Sequence, residues 1–373
     1  MTKADAASVE AGRRPEGRGA GTEAPRNARA WRRPLDLRHG RIDLSHGAGG
    51  RAMSQLIADI FHEALDNEWL RRGNDQAAFD IERGRLVMTT DGYVISPIFF
   101  PGGDIGSLSV HGTINDIAMA GASPRYLSAS FILEEGFPLA QLERIVRSMG
   151  DAARAAGTAV VTGDTKVVER GKADWVFICT TGIGVVPRGI EISVERVRPG
   201  DQIILSGSLG DHGVAVMSRR HDLQFETDMV SDSAPLHELV RDIVAAGGPA
   251  VHAMRDPTRG GLAATLNEIA QQAGAGMRIR EAAIPVKTAV AAACELLGLD
   301  PLYVANEGKL VAFVSKAAAA GVLGAMRSHP LGQDAAIIGE VVPDAQRFVQ
   351  MTTDFGGERM VDWLAGEQLP RIC

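Results

Sequence analysis

Ser107-Leu108-Ser109-Val110-His111-Gly112-Thr113-Ile114-Asn115-Asp116-Ile117-Ala118-Met119-Ala120-Gly121 carries Val110, Ile114, Ile117, Ala118 and Gly121 at helical spacing. A core-facing helix over 107–121 follows. His111 and Asn115 lie four residues apart along the margin of that stripe, with Asp116 beside them. Such a pair is either a satisfied core hydrogen bond or the edge of a site, and both readings stay open.

Upstream, residues 86–90 read as a strand that delivers Asp91 in Thr89-Thr90-Asp91-Gly92, and Asp75 lies in Asn74-Asp75-Gln76-Ala77. Farther upstream, Ser45-His46-Gly47-Ala48-Gly49-Gly50-Arg51 is a glycine loop entering a helix marked by Met53, Leu56, Ile57, Ile60 and Phe61. Backbone N–H groups in such a loop approach a phosphate closely, and the helix N-terminus favours the anion. The loop matches neither the P-loop nor the dinucleotide fingerprint. Downstream, a helix carries Leu142, Ile145, Val146, Met149 and Ala153 on one face, and a strand at 159–162 ends in Gly163-Asp164-Thr165-Lys166. That reading puts a carboxylate and an ammonium on one loop. A strand at 175–183 closes the domain. Mg²⁺ prefers hard oxygen ligands and keeps substrate phosphates in its shell, so clustered Asp residues with a glycine loop favour ATP and Mg²⁺ over a catalytic carboxylate pair.

A second domain begins after Pro187. Strands are expected at 202–206, 277–280, 310–314 and 336–339, alternating with helices at 235–246, 262–272, 287–297 and 316–326. Gly207-Ser208-Leu209-Gly210-Asp211-His212-Gly213 is another glycine turn into a helix, suited to an anion or to a peptide tail lying close. Asp256 or Thr258 is read as capping the next helix, and Asn306-Glu307-Gly308-Lys309 sets a carboxylate at a turn. The pattern is α+β in two domains.

The totals agree with a globular chain. At 373 residues, 45% hydrophobic and with mean hydropathy near zero, it is long enough for two cores. No apolar run approaches the roughly 18–20 residues that span a bilayer, and the N-terminus lacks an apolar signal core. Neither membrane insertion nor secretion is expected. Cys179 and Cys294 sit in apolar runs, which suggests reduced thiols in a cytoplasmic protein rather than a disulfide frame. Net charge is −7 overall and −11 beyond residue 40, so the body is an improbable nucleic-acid binder. Residues 1–40, rich in Gly, Pro, Arg and Ala without periodicity, read as a disordered basic extension. The remaining boundaries are drawn at 41–186, 187–345 and a C-terminal segment, 346–373.

That segment ends in Leu369-Pro370-Arg371-Ile372-Cys373. A terminal thiol on a movable peptide can be loaded with an acyl group at one site and hand it over at another. Gly366 is the expected hinge, Trp363 and Leu364 the anchor, and residues 367–373 reach roughly 20–25 Å when extended.

Taken together, the motifs at 46–50, 74–77, 90–92, 112–116, 163–166, 210–213, 256–261, 306–309 and 370–373 resemble the HypE hydrogenase maturation family, within the superfamily of aminoimidazole ribonucleotide synthetase. The resemblance covers residues 42–373. It implies a PurM-like fold whose N-terminal domains pair as a homodimer around a barrel-like core, with a mobile C-terminal tail. It also implies ATP-dependent dehydration of a carboxamide on the Cys373 thiol to a thiocyanate, the source of the cyanide ligand of NiFe-hydrogenase. The carbamoyltransferase HypF would load the thiol, and the HypC–HypD scaffold complex would receive the cyano group.

Carried onto these residues, the resemblance makes Asp75, Asp91, Asp116 and Asp164 the Mg²⁺ ligands. Gly47, Gly49, Gly50, His111 and Asn115 join them around ATP, and Cys373, Glu307 and Lys166 become catalytic. Glu307 is the expected base, and Lys166 contacts phosphate or relays a proton. Two alternatives stand beside this one. A selenophosphate synthetase would want a reactive Cys near the first glycine loop, yet no Cys precedes Cys179; a non-catalytic maturation scaffold would bind ATP as a structural ligand.

Overall fold

Ile105–Met119 (α1) is the helix expected over 107–121, and its surroundings explain its composition. Asp104 caps it by accepting from the N–H groups of Gly106 and Ser107, while its own N–H donates to the Ser107 hydroxyl. Twelve of its 15 residues are buried, so it is enclosed nearly all round rather than along one stripe. One side lies against a four-stranded sheet; its last turn, Ala118 and Met119, enters the core of the second domain beside Ile204, Leu239 and Val251. This helix bolts the two domains together.

The computed structural model describes residues 35–48, 50–72, 76–80, 84–222, 229–363 and 371–373. Residues 1–34, Gly49, Asp75, Leu364 and Gly366 lie outside them. In the first domain the strands are β1 (Arg85–Tyr93), β2 (Ser123–Glu134), β3 (Ala159–Val168) and β4 (Val176–Val186), in spatial order β1-β4-β2-β3. Only β2 and β3 run parallel. Leu127, Phe131, Val160 and Ile178 are buried on one face, which α1 and α2 (Leu139–Ala155) cover. The opposite face is open: Leu86, Met88, Ile132 and Cys179 are exposed.

Two sequence expectations change here. Cys179 stands on the outward face of β4, not in an apolar setting, because burial alternates along the strand and its neighbours Ile178 and Thr180 take the inner positions. Asp164 is not on a loop. β3 continues through it to Val168, held by parallel pairing with β2 from Tyr126↔Ala159 to Glu134↔Val168. The sheet itself is an open one of four strands, not a closed barrel.

The second sheet is built from β5 (Gln202–Leu205), β6 (Val251–Arg255), β7 (Gly276–Arg280), β8 (Val311–Val314), β9 (Ala336–Val342), β10 (Val349–Thr352) and β11 (Glu358–Met360). Its order is β11-β10-β7-β9-β5-β8-β6. β10 pairs parallel with β7 from Val349↔Met277, so the segment beginning at 346 adds two strands to this sheet before the tail. Gly261–Ala273 packs on one face through Leu262, Leu266 and Ile269; His237–Gly247 and Ala319–Ser328 pack on the other through Leu239, Ile243 and Val322. Among the described residues, no helix is long and apolar enough to cross a membrane.

Candidate active site

The last three residues lie beside the strand that leaves β1. Ile372 bridges Ile95 in antiparallel fashion, the Val94 N–H donates to the main-chain oxygen of Cys373 at 3.1 Å, and the Ser96 N–H donates to that of Arg371 at 3.2 Å. Ile372 is buried, and the Arg371 guanidinium donates to Asp174 at 2.7 Å. The tail is docked. Its thiol enters a cavity of about 50 Å³ at the domain junction, where Asp91, Asp116, Asp256 and Glu307 also converge.

Each element delivers one part of that cavity. β1 brings Asp91 and Tyr93, whose hydroxyl donates to the Asp91 carboxylate at 3.2 Å. α1 brings Asp116, which accepts from the Thr89 hydroxyl at 2.7 Å. Tyr93 can pack against α1 only because residue 112 is glycine: a Cβ there would sit 2.3 Å from the phenolic oxygen. The second domain adds Asp256, Arg259 and Glu307. Asn306, next to Glu307, fixes their loops by accepting from Gly210 N–H at 2.7 Å and donating to the carbonyls of Pro257 and Val304, both at 3.0 Å.

Negative charge is crowded here with little to offset it. Burial, reinforced by Asp116, pushes the Asp91 carboxyl up. Burial, with Asp116 as the leading charge, pushes Asp256 to about 7. Glu307 rises well above the usual carboxylate range, again through burial first and then Asp256 and Asp232. Its Oε1 has no hydrogen-bond partner among the described residues. An unpartnered buried carboxyl oxygen is costly, and its natural partner is a ligand or an ion. The Cys373 thiol is also raised, by burial and then by Glu307, while Arg259 acts in the opposite direction. Among the described residues, no three acidic, histidine or cysteine side chains form a ready-made cation shell.

Of the residues expected at the site, Asp91, Asp116, Glu307 and Cys373 meet in this cavity. Asn115 does not. Buried, it donates to the carbonyls of Ala234 and Glu307, both at 3.1 Å, and accepts from Leu236 N–H at 2.7 Å. It joins α1 to the second domain, and its polar atoms are occupied by main chain. His111 likewise meets Ser233 at 3.0 Å, and burial lowers its pKa to about 4.

Asp164 and Lys166 stand apart as well. The register row Asp91↔Thr180↔Ala129↔Gly163 spans three strand spacings, about 14 Å. Asp164, one residue on, points to the face opposite Asp91 and pairs with Lys166 at 2.9 Å. Within one chain, therefore, no single ion is shared by Asp91 and Asp164, and Lys166 does not reach the thiol cavity. Asp164 lies at the rim of a separate recess of about 220 Å³ with walls from Met53, Ile57, Phe61 and Leu65. Gly47 lies against the same strand, where a Cβ would meet that of Val167 at 2.8 Å. Gly50 is the N-cap residue of Arg51–Leu56.

Tyr93, Asp256 and Arg259 were not singled out in the sequence as site residues. Asp256 and Thr258 do not cap the helix at 261; Gly260, with φ +75°, is its N-cap residue and no side chain closes it. His212 proves to be buried with both ring nitrogens engaged, at 2.8 Å to the Ser231 hydroxyl and 2.7 Å to the Ile372 carbonyl. Its place in a glycine turn suited to a peptide tail was the available signal.

The N-terminal domain of AIR synthase related proteins matches residues 73–186, and the C-terminal domain of the same family matches residues 198–351. A carbamoyl dehydratase HypE from Bradyrhizobium diazoefficiens is 68% identical over 345 residues, 92% of this chain and all of that protein. A crystal structure of a hydrogenase maturation protein HypE in complex with ATP superposes with a TM-score of 0.85 at 51% identity, covering 88% of this chain and 99% of that one. A HypE–HypF complex gives 0.73 at 48% identity, covering 83% and 99%.

Proposed function

The chain belongs to the AIR synthase related family and, within it, to the HypE carbamoyl dehydratases of hydrogenase maturation, and from that premise we propose how its own residues carry out the reaction. The substrate is a carboxamide carried on the Cys373 thiol. Phosphoryl transfer from ATP to the amide oxygen turns a poor leaving group into phosphate; loss of that phosphate with both N–H protons leaves S–C≡N on the cysteine. The net change is removal of one water, taken up in converting ATP to ADP and phosphate.

One observation carries this reading: the terminal thiol lies in the carboxylate cavity against Glu307, whose Oε1 is unpartnered. Glu307 is the base for the amide protons, enclosed away from water, in the ionised form that a cation bound beside Asp91 and Asp116 would restore. Arg259 supplies positive charge beside the thiol. Asp91 and Asp116, with Asp256 in the same cavity, offer hard oxygen donors that would hold Mg²⁺ together with phosphate oxygens. Magnesium, when bound, supplies the charge that offsets the repulsion among these carboxylates and neutralises the phosphates. Asp164 and Lys166 are assigned to the nucleotide, beside the apolar recess, and not to the carbamoyl group.

Loading and delivery need the tail elsewhere, because a buried thiol cannot be carbamoylated by another enzyme. The solved HypE–HypF complex supports HypF as the loading partner. In this reading Cys373 leaves the cavity to be loaded, and HypC–HypD receives the cyano group. The open face of the first sheet, with Leu86 and Met88 exposed, pairs with a second copy to close the barrel. Three cysteines without a disulfide among them suit a cytoplasmic protein.

Mass spectrometry of the C-terminal peptide tests the reaction. After incubation with the carbamoyl donor, carbamoyltransferase and ATP, the peptide gains a carboxamide and then loses one water; Cys373→Ala gains neither. ATP consumption equally fast without the thiol would sink the coupling.

A further inference from the structure

The docked tail is held by main-chain donors of the segment after β1 and, among the described residues, by two side-chain donors from one helix. At the start of Asp211–Arg220, His212 Nε2 lies 2.7 Å from the Ile372 carbonyl. At its end, Arg220 Nη2 donates to the neighbouring carbonyl of Arg371 at 2.7 Å, and its Nε donates to the Ser96 carbonyl at 2.7 Å. A carbonyl only accepts, so Nε2 carries the hydrogen, and Nδ1 accepts from the Ser231 hydroxyl at 2.8 Å. Ser231 is itself fixed, its N–H donating to the Pro101 carbonyl at 2.9 Å. The ring edge meets Phe100, with centroids 5.4 Å apart and planes at 85°. Burial keeps the imidazole neutral, as this tautomer requires.

We infer that His212 is a positioning residue for dehydration: its Nε2–H latches the Ile372 carbonyl and thereby seats Cys373 against Glu307. When the tail leaves, this buried donor loses its partner, so the latch favours the docked state by the cost of that loss. All of these contacts are to main chain. Carbamoylation of the sulfur leaves them intact, so the latch seats free and loaded tails alike and discriminates neither. The kinetic consequence rests on the carbamoyl dehydratase reading; the seating itself does not.

The test labels Cys373 with iodoacetamide in full-length protein carrying Cys179→Ser, which removes the exposed competing thiol. His212→Ala is expected to raise the labelling rate about tenfold, the effect of losing one buried hydrogen bond. His212→Gln, whose amide N–H can replace Nε2–H, should stay within about threefold of the parent. Arg220→Ala should also accelerate labelling, and it carries the test if His212→Ala fails to fold. On protein already carbamoylated, His212→Ala should slow single-turnover dehydration about tenfold without changing ATP affinity, while loading by the carbamoyltransferase is not slowed. Labelling within twofold of the parent for folded His212→Ala, or for Arg220→Ala in its place, overturns the latch, as does His212→Gln behaving like the alanine variant. Labelling requires neither ATP nor a carbamoyl donor, so failure of the proposed reaction is told apart from failure of the latch.

Discussion

Asn115 of α1 donates to the main-chain carbonyl of Glu307 at 3.1 Å, across the junction of the two domains. Glu307, whose Oε1 has no partner among the described residues, is thus hung from the helix that also supplies Asp116. With its second donation to Ala234 and the bond it accepts from Leu236, Asn115 holds three main-chain groups of the second domain. Asn115→Ala is expected to cost roughly 2–4 kcal/mol in urea unfolding. Asn115→Asp, which keeps the acceptor but loses both donors, should do no better. A variant as stable as the parent would show that the junction is held elsewhere.

Glu307→Gln separates chemistry from stability. Removing the base should lower the dehydration rate by about 10²–10⁴, with the tail still docked. Stability should move the other way. The carboxyl is raised in the folded protein, while in the unfolded chain it titrates near 4.3. Below about 4.3 both states are protonated and there is no penalty; above it the unfolded chain ionises first, and wild-type stability declines as pH rises. Glutamine does not titrate. In nucleotide- and metal-free protein, the variant should match wild type near pH 4 and exceed it by a margin that grows as pH rises above about 4.3. Equal stability at both pH values would mean Glu307 is ionised at little cost.

Gly112→Ala tests the placement of Tyr93. A methyl group 2.3 Å from the phenolic oxygen forces either the ring or α1 to move, at a cost of about 1–3 kcal/mol. Because Tyr93 donates to Asp91, ATP turnover should fall with stability. Tyr93→Phe in the same background should recover part of the stability and none of the hydrogen bond. If it recovers no stability, the phenolic oxygen is not the obstacle.

How far the sequence led can be judged from particular elements. The helix at 107–121 is legible from Val110, Ile114, Ile117 and Ala118, all buried, and the strand at 175–183 from its alternating burial; the strand at 86–90 buries none of its residues and is legible only from its apolar and β-branched composition. β2 was not: Pro124, Arg125 and the small residues Ser128, Ala129 and Ser130 hide a central strand, and without it β3 seemed to end at Thr162. That omission put Asp164 on a loop. Only the parallel pairing carries β3 past Gly163, and long-range pairing leaves no local signal. Motif and resemblance mark Asp91, Asp116, Glu307 and Cys373, whereas Asp256 reads equally as a helix cap, because an Asp ahead of Pro257 serves either purpose until the fold shows where Gly260 turns the chain.

Met88→Glu tests the open face of the first sheet. Met88 is 70% exposed, and Leu86, Ile132 and Cys179 share its side. A carboxylate in the middle of a face that closes on its own copy brings two like charges into an apolar contact. Sedimentation velocity should show the homodimer shifting to monomer at micromolar concentration, with the Glu307 cavity unchanged. A parent protein that is monomeric throughout would remove the barrel from the proposal.

The docked thiol makes tail seating depend on pH, with a definite sign. Burial and Glu307 raise its pKa when it is seated, and a released thiol ionises near 8.5. Below about 8.5 both states hold the proton and seating is at full strength; above it only the released tail ionises, so seating weakens by up to about tenfold per pH unit. The Val94 N–H, which donates to the Cys373 main-chain oxygen, reports this by hydrogen exchange. Cys373→Ser has no thiol to titrate, and dividing the wild-type exchange rate by its rate at the same pH removes the intrinsic alkaline acceleration. The ratio should be flat from pH 6 to 8 and climb between pH 9 and 10. A flat ratio throughout would place the sulfur in solvent, away from Glu307.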